Sequence, residues 1–266
     1  MSPQQQYLQK CREIVDAVAQ QETVVDAVAE RFAQTILADR MVHVFGSGHS
    51  RIMVEEMWPR YGSFPGFNPM VELSLSFHHP VVGSNGQRQA MFLENVEGFA
   101  DRILRNYDLS PQDSALVVSS SGCNIVPIEI AEGFQARGVF VAALVSVDHC
   151  EASESRRSDG KKLTDFADVV LDTGAPVGDS MVSIEGLETP VAPGSTVGGC
   201  LVVNTIKAQV CQRLVEAGMP PKVLTAGAVV GAERAQEIFE SAYDEHGRRL
   251  AKLYASLGAE TVTQTP

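Results

Sequence analysis

The chain has 266 residues, 44% hydrophobic and 20% charged, with a formal net charge of −12. That length suits one large α/β domain or two small ones and allows a sizeable core. The acidic balance argues against nucleic acid and anionic membranes, whose phosphates are met by Lys and Arg, and no apolar stretch approaches the about 20 residues of a membrane span.

Residues 5–20 place Leu8, Cys11, Ile14, Val15 and Val18 at helical spacing, and residues 22–38 repeat the pattern with Val25, Val28, Phe32 and Ile36. This N-terminal pair, residues 1–40, is expected to pack on the remainder, 41–266, or against another subunit. Met41 to Phe45 reads as the first strand, with Gly46-Ser-Gly-His-Ser50 as its loop. The next helix runs from about Ser50 to Met57 and stops at Trp58-Pro59, because proline disfavours α at the residue before it. Residues 61–88 read as a long irregular segment with one short strand at Val71–Phe77, and long loops often serve as lids. Residues 89–105 read as one helix. Leu116–Ser119 reads as a strand, and Asn124–Arg137 as a helix ending at Gly138.

Val139–Val145 is a continuous apolar run, as expected of a parallel strand buried on both faces. Asp168–Leu171 is a further short strand, residues 173–195 are loop, Thr196–Ala217 is a long apolar helix, and Ala232–Leu257 is amphipathic. Alternating strands and helices predict a parallel sheet covered by helices on both faces, in a single structural domain.

Two stretches echo each other. Val42-His-Val-Phe-Gly-Ser-Gly-His-Ser50 and Leu116-Val-Val-Ser-Ser-Ser-Gly-Cys-Asn124 are each a strand, a small hydroxyl-rich loop and a helix start. A helix start has unpaired N–H groups and a positive dipole end, so it attracts anions. The candidate ligands are Ser47, Gly48, Ser50, Ser119, Ser120, Ser121, Gly122 and Asn124. The competing reading is that each serine only caps its helix. Neither loop contains lysine, so the anion would be held by neutral donors, which suits a small phosphorylated metabolite better than a nucleoside triphosphate. Arg51 stands where a dinucleotide loop needs its third glycine, and no phosphate-loop Gly-Lys-Ser/Thr occurs.

The five cysteines, Cys11, Cys123, Cys150, Cys200 and Cys211, show no C-x-x-C spacing and read as reduced thiols, with Cys123 a small packed residue. The N-terminus shows no signal-peptide pattern, so a cytoplasmic location is expected. No metal site and no cofactor are called for. The adjacent pair His78-His79 reads poorly as a metal site.

These residues resemble the sugar isomerase (SIS) domain family of phosphosugar-binding proteins. Ser119-x-Ser121-Gly122 is similar to the family's S-x-S-G-x-T loop, with Asn124 where threonine is usual. Ala192-Pro-Gly-Ser-Thr-Val197 looks like the segment that opens the long helix in N-acetylmuramic acid 6-phosphate etherases, which adds Ser195 to the candidates. Glu55-Glu56 and Glu97 look like the acidic pair of those enzymes. The likeness covers about residues 5–220 and is closest in style to a bacterial branch of SIS proteins. It implies a flavodoxin-like αβα sandwich of about five parallel strands, a homodimer, and a phosphorylated sugar as ligand, with no nucleic acid or membrane partner.

Isomerisation and ether cleavage both need titratable groups beside the phosphate. Glu56, Glu97 and His49 are the catalytic candidates, each with a competing role as an exposed or capping side chain. Lys207 reads as a snorkelling lysine or as positive charge for the site, and His246 as a group that could cross a dimer interface. The expected activity is aldose–ketose isomerisation of a sugar 6-phosphate. An amino-sugar 6-phosphate lyase or etherase, and a non-catalytic phosphosugar sensor, stand as alternatives.

Overall fold

The computed structural model describes residues 1–76 and 85–255. His78-His79 and Phe77 fall outside them.

The chain opens with helices α1 (Pro3–Ala19) and α2 (Glu22–Leu37). Ser2 and Gln5 form a reciprocal capping box at the start of α1, with Pro3 inside the first turn. Strand β1 (Val42–Gly46) leads through a short turn into α3 (Arg51–Met57). Then come β2 (Phe67–Met70), the single turn α4 (Leu73–Ser76), α5 (Gln87–Leu93) and α6 (Phe99–Leu104). The second half holds β3 (Ser114–Val118), α7 (Ile125–Gln135), β4 (Phe140–Val145), α8 (Val147–Ala152) and β5 (Val169–Asp172). It ends in α9 (Ser195–Glu216), α10 (Gly227–Val230) and α11 (Ala232–Tyr254).

The five strands form one sheet in the order β2-β1-β3-β4-β5, and every pairing is parallel. This is the flavodoxin-like order, whose connections reverse direction between β1 and β3. Val42, Val44, Leu116, Val118, Ala142 and Leu144 point to one face and pack with α1, α2, α3 and α9. The alternate residues Phe45, Ala115, Val117, Val141, Ala143 and Val145 point to the other and pack with α6 and α7. That two-residue alternation, with both faces buried, explains why the strands read as unbroken apolar runs. The N-terminal helices therefore belong to the same core as the sheet.

Two elements differ from the sequence reading. The short strand lies at Phe67–Met70, pairing with Val42–Phe45, instead of at Val71–Phe77. Pro69 is tolerated there because β2 is an edge strand. Residues 89–105 are two helices, broken at Glu94–Gly98. Gly98 adopts a left-handed φ of 77°, and its N–H donates to the Glu129 carboxylate at 2.9 Å. This break decides which glutamate reaches the site.

Candidate functional site

A cavity of about 350 Å³ opens at the carboxyl ends of the strands, where ligands bind in open α/β sheets. Ser47, Gly48, His49 and Ser50 after β1 line it, with Ser119, Ser120, Ser121 and Asn124 after β3. His149 follows β4, Asp179 follows β5, and Ser195 and Thr196 open α9. The two serine loops are neighbours because β1 and β3 are adjacent in the sheet.

The loop after β3 is partly self-satisfied. The Gly122 N–H donates to Ser119 Oγ at 3.2 Å and the Cys123 N–H to Ser121 Oγ at 3.3 Å. Among the described residues, no hydrogen bond engages the backbone N–H of Ser120, Ser121, Asn124 or Ile125. Ser120 Oγ is buried and has no hydrogen-bond partner among the described residues. Open donors at the start of α7 are what an anion requires. Gly122 lies beneath the loop instead of on its wall: its φ is +63°, and a Cβ there would sit 3.1 Å from Cys150 Sγ.

Ser195 is already engaged. Asp179 accepts from the Gly194 and Ser195 N–H groups at 2.9 and 2.7 Å and from Ser195 Oγ at 2.6 Å. This carboxylate caps the 22-residue α9 from across the chain. The same helix start can press on the end of β5 because Gly198 has no side chain; a Cβ there would be 1.8 Å from the Thr173 carbonyl oxygen.

Glu94, not Glu97, is the glutamate of the cavity. Ser47 Oγ donates to Glu94 Oε2 at 2.8 Å. The Glu94 carbonyl also accepts the Val126 N–H at 2.9 Å, tying α5 to α7. Burial pushes the Glu94 carboxyl above its ordinary value, against hydrogen bonds from Ser47 and Asn124 and the charge of Arg156. A buried carboxyl shifted in this direction suits proton transfer.

Of the three catalytic candidates, His49 lines the cavity, whereas Glu97 and Glu56 lie outside it. Glu97 is exposed, carried out of the cavity by the break before Gly98. Glu56 turns toward α9: Asn204 Nδ2 donates to it at 2.8 Å, and Arg60 pairs with it. Burial would raise its carboxyl, but those two partners bring it below its ordinary value. Lys207 neither snorkels nor reaches the site; it is buried, and Nζ donates to the Glu56 carbonyl at 2.8 Å and to Ser63 Oγ at 2.9 Å. His246 is buried against Trp58, ring centroids 5.1 Å apart. Cys123 is buried, and burial pushes its thiol up.

Sequence reasoning missed Glu94, His149 and Asp179. Glu94 closes the apolar run Ala90–Leu93 and shares a helix face with Ala90, which also lines the cavity. His149 stands three residues after Ser146, the cap of α8, a faint signal. Asp179 gave none, since its partners lie 15 and 16 residues away.

The fold and the site define a hydroxyl-rich pocket at the carboxyl ends of a flavodoxin-like sheet. The SIS domain family matches residues 6–146, and the chain belongs to that family. A UPF0309 protein of Listeria monocytogenes is 31% identical over 221 residues, 83% of this chain and 87% of that protein. A UPF0309 protein of Halalkalibacterium halodurans is 30% identical over 240 residues, 90% of this chain and 94% of that protein. Among solved structures, the sugar isomerase domain of an RpiR transcription factor from Sphaerobacter thermophilus matches with a TM-score of 0.48 at 17% identity, covering 90% of this chain and 96% of that one. A phosphoheptose isomerase from Francisella tularensis matches with a TM-score of 0.48 at 14% identity, covering 77% and 92%.

Proposed function

We propose that this protein binds a phosphorylated sugar at the carboxyl ends of β1 and β3 and interconverts the aldose and ketose forms of a sugar 6-phosphate. The observation that carries the proposal is Glu94: a carboxyl raised by burial, hydrogen-bonded by Ser47, in the same cavity as the open amides after β3. The phosphate is held by the N–H groups of Ser120, Ser121, Asn124 and Ile125 with the serine hydroxyls, and needs no lysine. Glu94 then takes the proton from the carbon beside the carbonyl and returns it to the carbonyl carbon, while a hydroxyl proton moves between the two oxygens. No cofactor is required, and SIS membership supports a phosphosugar as the ligand.

Two further parts belong to the same proposal. The protein works in the cytosol, where its five free cysteines stay reduced. It is a homodimer, supported by the shallow apolar groove along α9 that Val197, Leu201 and Ala208 line; analytical ultracentrifugation reads this directly.

The test is thermal shift against a panel of sugar 6-phosphates, the unphosphorylated sugars and inorganic phosphate, followed by NMR of the stabilising sugars. Ligands that bind the native state raise the melting temperature. Stabilisation by phosphosugars that is lost in Ser121→Ala, with aldose–ketose turnover lost in Glu94→Gln, is the expected result. Release of a leaving group from an amino-sugar 6-phosphate would move the chemistry to elimination. Binding without turnover across the panel would leave a sensor, and no shift at all would return the serines to helix caps.

A further inference from the structure

His149 lies outside both serine loops, yet its ring is fixed in the cavity wall. Its backbone is held by α8: the His149 N–H donates to Ser146 Oγ at 3.3 Å, and Ser146 Oγ donates to the Ala175 carbonyl at 2.7 Å. Its ring is held by the segment after β5: the Gly178 N–H donates to Nδ1 at 3.2 Å. A nitrogen that accepts an N–H carries no proton, so the neutral ring carries its proton on Nε2. No hydrogen bond among the described residues uses Nε2, and His149 lines the cavity. The next residue, Asp179, caps α9 through Ser195, so ring, turn and helix start form one hydrogen-bonded wall. Strand order sets that wall on the β4–β5 side, beyond the phosphate donors after β1 and β3.

We infer that His149 is a catalytic residue whose Nε2–H donates to an oxygen of the sugar carbon skeleton and leaves the phosphate to the serine loops. This rests on the phosphosugar reading of the cavity. In the isomerisation, the donor meets the carbonyl oxygen as charge develops on it. Glu94 moves the carbon-bound proton, the neighbouring hydroxyl supplies the proton that the former carbonyl oxygen keeps, and the imidazole ends neutral. An oriented donor at that oxygen stabilises the transition state more than the ground state.

The geometry of imidazole separates its two roles. In His149→Asn, Oδ1 occupies the position of Nδ1 and keeps the acceptor for Gly178, but the distal donor is gone. In His149→Gln, the amide nitrogen reaches the position of Nε2. Calorimetric titration of wild type and both variants with inorganic phosphate, glucose 6-phosphate and fructose 6-phosphate, beside kcat and KM for any probe that turns over, tests the assignment. Expected are unchanged phosphate affinity in both variants and a roughly 10-fold loss of the preference for sugar phosphate over phosphate in His149→Asn. Partial recovery in His149→Gln, and a drop of kcat larger than the change in KM, complete the pattern. Sugar-phosphate affinity and kcat that stay at wild-type values in His149→Asn would overturn it, as would equal loss of phosphate and sugar-phosphate binding, which marks a merely structural wall. A wild type that binds none of the three probes overturns the phosphosugar reading and this assignment together.

Discussion

Asp113 and Glu94 stand at opposite ends of one sheet, and their surroundings push them in opposite directions. Asp113 precedes β3 at the amino ends of the strands. Arg40 grips it with Nε and Nη2 at 2.8 and 2.7 Å, the Ser110 N–H donates at 2.8 Å, and His43 Nε2 lies 3.6 Å away. Burial alone would raise its carboxyl, but His43, Arg40 and Ser110 outweigh it and hold the group down to about 2. Glu94, at the carboxyl ends, has a hydroxyl, an amide and a distant arginine, and burial wins. The carboxylate at the amino ends is gripped by a charged partner, and the one at the carboxyl ends has only a hydroxyl and an amide within reach.

Removing Asp113 should have the largest effect on stability. In Asp113→Asn the Arg40 fork and His43 lose the charge that justifies burying them, a loss of about 3 kcal/mol or more at pH 7. Urea unfolding measures it; a change under about 1 kcal/mol would erase the asymmetry between the two ends. Glu94→Gln should do the reverse. Turnover falls by about 10²–10⁴-fold, while the melting temperature at pH 7 holds or rises, because a carboxylate that burial disfavours has been replaced by a neutral amide. A melting temperature that falls along with turnover would make Glu94 part of the scaffold.

The two carboxyls also predict opposite limbs of the stability–pH curve. The folded value of Asp113 lies below its unfolded value of 3.8, so its contribution is present above that pH and is lost as pH falls through about 2. The difference corresponds to about 2 kcal/mol. Glu94 has a folded value above its unfolded 4.5, so its contribution is present below that pH and is lost as pH rises through the folded value. Calorimetric scans should therefore show Asp113→Asn flattening the acid limb, and the gain of Glu94→Gln present at pH 7 but absent at pH 3. Parallel curves for wild type and both variants would contradict both environments.

How far the sequence carries depends on whether a feature is local. The strands of the sheet interior, the serine loops and the long α9 follow from apolar runs, glycine and hydroxyl residues within a few positions of one another. The cavity glutamate did not follow, because one left-handed glycine turns Glu94 inward and Glu97 outward, and the carboxylate that fixes that glycine is Glu129, 31 residues on. Lys207 misled for a similar reason. Its partners, Glu56 and Ser63, are 151 and 144 residues distant, and no periodicity on α9 reveals them. The wall built by His149, Gly178 and Asp179 is likewise assembled by strand order, which a single sequence does not print.

The smallest expected change separates a serine whose hydroxyl serves the loop from one whose buried hydroxyl has no partner among the described residues. Ser119 Oγ accepts the Gly122 N–H, which also donates to the Ser119 carbonyl at 3.2 Å, so Ser119→Ala removes one of two acceptors and costs about 0.5 kcal/mol of stability. Ser120 has its backbone fixed, its carbonyl accepting the Ser146 N–H at 2.9 Å, but its buried hydroxyl has no hydrogen-bond partner among the described residues. Ser120→Ala should therefore leave stability level or slightly higher, since an unmet polar group has been removed. The same substitution takes one donor from a bound phosphate, and a hydrogen bond to a charged group is worth about 1.5–3 kcal/mol, so affinity should fall at least about 10-fold. Titration of both variants with inorganic phosphate reads this. Unchanged affinity in Ser120→Ala, with stability lost instead, would mean that the hydroxyl already serves the fold and that the carboxyl end of the sheet is as closed as the amino end.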